Sequence, residues 1–84
     1  MSVHIASLIV RVRPERADAV ASHIARMSGA EIHANEDGKI IVVLEAASER
    51  ALADHMDALR QVPDVLMVSL VFHQMDADAE VEPA

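Results

Sequence analysis

The sequence has no cysteine, tryptophan or tyrosine, and Phe72 is its only aromatic residue. The lack of cysteine excludes disulfides, thiolate nucleophiles and thiolate metal ligands. The lack of aromatic side chains almost excludes stacking on bases or sugars. No apolar run approaches the roughly 18 residues of a membrane span, and the chain does not start with a basic segment and a long apolar one. We therefore expect a cytoplasmic protein without stable membrane insertion.

Basic residues are also few, since seven Lys and Arg stand against fourteen Asp and Glu and the formal net charge is −7. Such a charge repels phosphate backbones and anionic lipids and attracts cationic partners. A nucleic-acid partner is therefore not expected. Four of the acidic residues lie in the last nine positions. We expect residues 1–74 to form one folded domain and residues 75–84 to form a disordered acidic tail.

Residues 65–74 form the longest apolar run of the chain. The β-branched Val65, Val68 and Val71, preceded by a turn signal at Pro63-Asp64, favour a strand over a buried helix. Residues 3–12 at the start of the chain repeat the pattern of apolar side chains around a serine. We expect these two strands to be neighbours in one sheet.

The elements between them follow in a simple order. Pro14 begins a helix that Gly29 ends, and Ser48 caps a second helix that stops before Pro63. Residues 30–35 and 39–45 alternate as strands around a Glu36-Asp37-Gly38 hairpin turn. The order strand, helix, strand, strand, helix, strand predicts an α+β, ferredoxin-like split βαβ fold (βαββαβ). Its four-stranded antiparallel sheet, in strand order 4-1-3-2, carries both helices on one face.

The other face of this sheet has nothing in the chain to cover it, yet its predicted side chains are largely apolar. If the side chains alternate strictly along each strand, the residues on this face are Ile5, Ser7, Ile9, Arg11, Ile41, Val43, Glu45, Met67, Ser69, Val71 and His73. An apolar patch of this kind usually marks an interface. We expect it to bind a different partner or to be buried in a weak homodimer.

Catalytic and metal-binding patterns are absent from the sequence. The five histidines fall on five different elements without metal-ligand spacing, and the serines lack a nucleophile context. We therefore predict no enzyme activity, no metal and no cofactor. Two readings stay open for Arg11, which either contacts a ligand or pairs internally with Glu45. His73 is either a hydrogen-bonding residue of the site or an exposed residue at a strand end.

The chain resembles the NapD family of assembly chaperones. The resemblance rests on residues 6–10, 29–32, 38–45 and 65–74, and its most specific part is Ser-Leu-Val-Phe-His-Gln at positions 69–74, followed by an acidic tail. Two positions depart from the family pattern: Phe72 stands where a Tyr is expected, and Pro63-Asp64 stands where a glycine-containing turn is expected.

The resemblance implies a protein that binds the twin-arginine (Tat) signal peptide of NapA, the catalytic subunit of the periplasmic nitrate reductase, and delays its export until its cofactors are inserted. The signal-peptide-binding residues would then be Ser7, Ile9, Arg11, Ile41, Val43, Glu45, Ser69, Val71 and His73. The alternative from the same topology is an ACT-type domain that binds a small regulatory ligand. Its glycine-rich first loop is missing from residues 11–15.

Overall fold

The computed structural model describes residues 2–77. Its elements are β1 (Ser2–Val12), a 3-10 turn (Pro14–Arg16), α1 (Ala17–Ala25), β2 (Ala30–Glu36), β3 (Lys39–Ala46), α2 (Glu49–Arg60) and β4 (Val65–Ala77). The four strands form one antiparallel sheet in the order β2-β3-β1-β4. The predicted fold and strand order are confirmed, including the pairing of the first strand with the last.

The core lies between the sheet and the two helices. Alternate residues of β1 and β3 point towards the helices, and Leu8, Val10 and Ile40 are fully buried there. Ile24 of α1 and Leu59 of α2 are fully buried in the same core and enter it from the helices. Each such side chain contributes roughly 1.5–3 kcal/mol when it leaves water. The helices thereby fix which face of the central strands is covered and which is left open.

The ends of the elements follow local chemistry. Ser48 caps α2 through its Oγ atom, which accepts a hydrogen bond of 3.0 Å from the backbone N–H of Ala51. The hairpin between β2 and β3 turns through Asp37 and Gly38, with φ angles of 54° and 76°. The first helix departs from expectation, because Pro14 begins a 3-10 turn and α1 itself begins at Ala17. The side chain of Arg13, the N-cap residue, makes no capping hydrogen bond, and the first turn is closed instead by the N–H of Arg16, which donates to the carbonyl oxygen of Arg13 at 2.8 Å.

The loop between α2 and β4 contains no glycine, and Asp64 takes the left-handed backbone conformation with a φ of 73°. Asp is one of the few residues that adopts this conformation readily. Its carboxylate also accepts a hydrogen bond of 2.9 Å from Nε of Arg16, so the loop is held to the start of the first helix. β4 continues to Ala77, three residues beyond its predicted end. The rest of the predicted tail, 78–84, lies outside the described residues.

Candidate functional site

The face of the sheet opposite the helices is the candidate site, and we call it the open face. On β1 the residues that alternate with the core, Ile5, Ser7 and Ile9, are half-buried, as are Ile41 and Val43 on β3. They lie in matched pairs across the two strands: Ile5 opposite Glu45, Ser7 opposite Val43, Ile9 opposite Ile41, and Arg11 opposite Lys39. The sequence-predicted residues of these two strands are therefore brought together.

All four strands contribute to this surface in cross-strand rows. Read in the order β2, β3, β1, β4, the rows are Glu45–Ile5–Gln74 (without a β2 residue), Glu31–Val43–Ser7–Phe72, Ala34–Ile41–Ile9–Ser69, and Glu36–Lys39–Arg11–Met67. The two middle rows are largely apolar and form the apolar centre of the open face. The two small serines lie between larger side chains in this centre. The outer rows carry most of the charge.

The pairing of β1 with β4 is interrupted once within this surface. Leu8 pairs with Leu70, but the preceding residue Ser7 pairs with Phe72, so Val71 has no partner on β1. An extra residue of this kind, as in a β-bulge, reverses the alternation of side chains beyond it. Phe72 therefore belongs to the open face, where it is 52% exposed. This face could not be predicted from the sequence, because residues 70–72 are all apolar and alternation cannot distinguish their faces.

The predictions that Val71 and His73 share the open face are wrong for the same reason. Val71 lies at the irregularity, and His73 pairs with Ala6, which is fully buried on the helix side. Nε2 of His73 lies 3.3 Å from Nδ1 of the buried His4, and the two ring centroids are 5.5 Å apart. The two nitrogens are within hydrogen-bond distance, and the tautomers of the two rings decide which nitrogen donates. His73 is thus occupied by a contact on the helix side.

The alternative that Arg11 pairs with Glu45 is also not found. Glu45 lies opposite Ile5, six residues along β1 from Arg11. Six residues of a strand span about 20 Å, which is far beyond the reach of an ion pair. Arg11 instead lies opposite Lys39, so like charges meet at this end of the strand pair. The open face consequently has an acidic end and a more basic end.

The acidic end is a shallow depression of about 300 Å³ lined by Gly29, Ala30, Glu31, Val43 and Glu45. Both carboxylates are exposed on the open face; Glu31 lies opposite Val43 on the neighbouring strand, and Glu45 lies two residues from Val43 along β3. Nε2 of His33 lies 3.5 Å from Oε1 of Glu31. Glu31 was not predicted as a site residue, although the predicted hairpin brings the start of β2 beside the end of β3, where Glu45 lies.

Gly29 holds this end of the surface together. Its φ of 80° is in the left-handed region, and its carbonyl oxygen accepts a hydrogen bond of 2.8 Å from the N–H of Glu45. A Cβ atom at position 29 would lie 2.6 Å from the carbonyl oxygen of Glu45. Only glycine satisfies both conditions, so this residue sets how closely the start of β2 approaches the end of β3.

The opposite end has a second depression of about 260 Å³, in which Ile9 and Ile41 form an apolar base. Charged residues of the β2–β3 hairpin, including Lys39 and Glu36, surround it. Within residues 2–77 there is no group of three or more His, Cys, Asp or Glu residues placed to hold a metal ion. In the same part of the chain, no helix is long and apolar enough to cross a membrane. What the open face offers is an apolar surface with charges at its ends.

Comparison with known proteins identifies the family. The sequence model described as NapD protein matches residues 3–77. The chain belongs to the NapD family. Its curated relatives bear the name Chaperone NapD, so the family is one of chaperones and not of enzymes. The family assignment predicted from the sequence is confirmed, and it favours the chaperone class over the small-ligand regulatory domain.

Two NapD relatives show how far the similarity extends. The chain is 40% identical over 73 residues to the Paracoccus pantotrophus protein, which covers 87% of this chain and 65% of the relative. It is 32% identical over 81 residues to the Escherichia coli K12 protein, covering 94% of this chain and 93% of the relative. Against the first of these, therefore, the chain spans less than two thirds of the relative's length.

A solved structure from the same family has the same fold. It is the solution structure of the E. coli Tat proofreading chaperone protein NapD, with a TM-score of 0.81 and 31% identity. The match covers 98% of this chain and 88% of that one. The NapD fold thus includes the four strands that form the open face.

Proposed function

We propose that this NapD-family protein acts in the cytoplasm by binding the twin-arginine signal peptide of NapA on its open face, and that it delays export of the precursor until cofactor insertion is complete. The role is binding alone, without catalysis. The E. coli relative is named as a Tat proofreading chaperone, which supports this class of partner. The observation that carries the proposal is the open face itself, an apolar centre with carboxylates at one end.

The apolar centre suits the hydrophobic segment of a signal peptide. Ile9, Ile41 and Val43 are half-buried and Phe72 is half-exposed, so a ligand can remove further apolar surface from water at each of them. Each square ångström of apolar area buried contributes about 25 cal/mol before the costs of association. Ser7 and Ser69 are small, which allows the backbone of a ligand to approach the sheet between the larger side chains.

The acidic end suits the two arginines. Glu31 and Glu45 both project from the open face next to the apolar centre, so one ligand can contact both features. A guanidinium group donates two parallel hydrogen bonds to a carboxylate, which a lysine ammonium cannot do. The arrangement therefore favours an arginine pair followed by an apolar segment. At the far end Arg11 and Lys39 share their row with Glu36, so this end lacks the excess of carboxylates that would favour the opposite orientation of the peptide.

The test is calorimetric titration of the protein with the NapA signal peptide. We expect saturable one-to-one binding, weakened about tenfold or more when both arginines of the peptide are replaced by lysines. A peptide that does not bind at all would refute the function. Equal binding of the arginine and lysine peptides would refute the role of the carboxylates.

Substitutions in the protein then locate the site. Val43→Glu introduces a charge into the apolar centre, and Ala53→Glu introduces the same charge on the exposed side of α2 as a matched control. We expect the first to abolish measurable binding and the second to leave it unchanged. Far-ultraviolet circular dichroism of both variants establishes that they are folded. Normal binding by Val43→Glu would move the site away from the open face.

Delay of export requires a separate measurement in cells. In a strain in which cofactor synthesis is blocked, we expect the NapA precursor to remain in the cytoplasm when the wild-type protein is present. With Val43→Glu in its place, we expect the precursor to reach the periplasm earlier. Identical export with both proteins would show that signal-peptide binding does not hold the precursor back.

A further inference from the structure

β4 lies at the edge of the sheet but has the side-chain pattern of an interior strand. All the large apolar side chains that are highly exposed within the described part of the chain belong to it: Leu66 (60%), Met67 (49%), Leu70 (50%), Val71 (61%) and Phe72 (52%). Strands that are buried on both faces have such continuous apolar runs, whereas an edge strand with one solvated face alternates. The sheet therefore ends at a strand suited to a neighbour.

These exposed side chains are not confined to the open face. Met67 and Phe72 lie on it, opposite Arg11 and Ser7. Leu70 lies opposite Leu8, which is fully buried under the helices, so Leu70 projects from the helix side. A peptide on the open face would cover the first two residues and leave Leu70 in water. The proposed function thus does not explain this part of β4.

The other edge of the sheet shows what a protected edge looks like in this fold. β2 has seven residues, and Glu31, His33 and Glu36 along it are exposed. Short length and charged side chains are the usual devices against edge-to-edge pairing. β4 has thirteen residues, and positions 65–74 contain neither a charged residue nor a proline. Its pairing with β1 is irregular at two positions, Leu66 and Val71, and is regular between them.

We propose that the β4 edge pairs with the β4 edge of a second copy of this chain, in an antiparallel dimer whose sheet runs through both copies. The partner strand must be uncharged and apolar on both faces, and the chain itself supplies such a strand. A two-fold axis perpendicular to the sheet repeats the same contact in both directions and keeps all helices on one side. The regular segment 67–70, between the two irregularities, makes the central contact.

The net charge of −7 on each copy opposes this association. Added salt screens the repulsion, so the dimer is stabilised by salt, whereas binding of a basic peptide is weakened by it. The short regular segment and the repulsion together predict a weak dimer. The dimer does not depend on the signal-peptide proposal, since the contact includes the helix side of β4.

Sedimentation velocity over a concentration series from about 10 μM to about 1 mM tests this inference, in roughly 0.05 M and 0.5 M NaCl. We expect a shift from monomer to dimer with rising concentration, at least several-fold stronger at the higher salt. Leu70→Lys should abolish the shift, although it lowers the negative charge of each copy by one. Val71→Lys should act in the same way and guards against a folding defect in the first variant. His33→Lys, on the other edge, is the matched control and should dimerise normally.

Three results would overturn the proposal. One is a wild-type protein that stays monomeric at about 1 mM in high salt. Another is a dimer that survives both lysine substitutions on β4. A third is a dimer that is lost in Val43→Glu but not in Leu70→Lys, since this would place self-association on the open face. Titration of Leu70→Lys with the signal peptide tests the two proposals separately. A monomeric variant that still binds the peptide would show that dimerisation uses Leu70 and that peptide binding does not.

Discussion

Phe72 is the residue of β4 that adds most to the open face. It lies opposite Ser7 in the same row as Val43, and its neighbours Val71 and His73 do not share this position. An aromatic side chain that is half-exposed next to a small serine offers a ligand both a broad apolar surface and room to approach. A phenylalanine has no hydroxyl group to donate or accept a hydrogen bond, so the contact here is purely apolar.

We expect Phe72→Ala to weaken signal-peptide binding by about tenfold, because it removes a large apolar side chain from the proposed contact. Val71→Ala and His73→Ala should change the affinity by less than about twofold, since neither side chain belongs to the open face. Calorimetric titration of the three variants measures this. A larger loss for His73→Ala than for Phe72→Ala would contradict the register of β4.

Asp64 is a second residue whose backbone determines a local structure, since it has a positive φ and bonds to Arg16. We expect Asp64→Gly to be more stable than Asp64→Ala by about 1 kcal/mol, because glycine adopts the left-handed conformation without a steric penalty and alanine does not. Both substitutions remove the ion pair, so their difference isolates the backbone effect. Urea unfolding measures it, and equal stabilities would show that residue 64 is not left-handed.

At the scale of elements, β1 and β3 give the open face a direction. Glu45 lies at one end of the strand pair, while Arg11 and Lys39 lie at the other, about 20 Å away. Glu31 of β2 adds to the acidic end, and Glu36 of β2 and Met67 of β4 complete the row at the other end. A peptide with a basic start and an apolar middle is therefore expected to lie along these strands in one orientation only.

A nitroxide label at the amino terminus of the peptide tests this orientation. We expect it to broaden the backbone amide signals of Glu31 and Glu45 and to leave those of Lys39 and Arg11 sharp, because paramagnetic broadening falls steeply with distance. The Glu31→Gln and Glu45→Gln variants should each weaken binding by about two- to fivefold, as is usual for exposed ion pairs. Glu49→Gln, at the start of α2, is the control. Broadening at Lys39 and Arg11 instead would reverse the orientation.

The same elements show why part of the site could be predicted from the sequence and part could not. On β3, Ile40, Val42 and Leu44 alternate with Ile41, Val43 and a terminal Glu45, and on β1 the helix-facing residues alternate with Ser7 and Arg11. Polar residues at one parity identify the open face in both strands. Residues 70–72 of β4 are all apolar, so the local sequence does not show which of them face the helices and which lie on the open face. The pairing with β1 decides this, and that is a long-range contact.

At the scale of the whole molecule, the excess of acidic residues acts in opposite senses on two associations. The protein and a basic signal peptide attract one another, whereas two copies of the protein repel. Both effects are screened over about 10 Å at 0.1 M salt. The ionic strength of the solution therefore shifts the balance between the peptide-bound and the self-paired protein.

We expect the affinity for the signal peptide to fall by about tenfold between roughly 0.05 M and 0.5 M NaCl. The Val43→Ala variant should bind more weakly at every salt concentration, but its affinity should fall by the same factor over this range. The salt dependence of the affinity measures the contribution of the charges, and the difference between the two proteins at one salt concentration measures that of the apolar centre. Titrations at four salt concentrations separate the two. An affinity that does not depend on salt would show that the acidic end takes no part in binding.

The unpaired Val71 also bears on how the length of this chain can change. Because it is the extra residue between two regularly paired segments of β4, its loss would leave Leu70 and Phe72 on the faces that they already occupy. A single deletion at position 71 therefore conserves the open face, whereas an insertion or deletion within 67–70 would exchange the two faces of every residue beyond it. Position 71, like position 66 at the other irregularity, is therefore a point of β4 at which the loss of one residue can be absorbed.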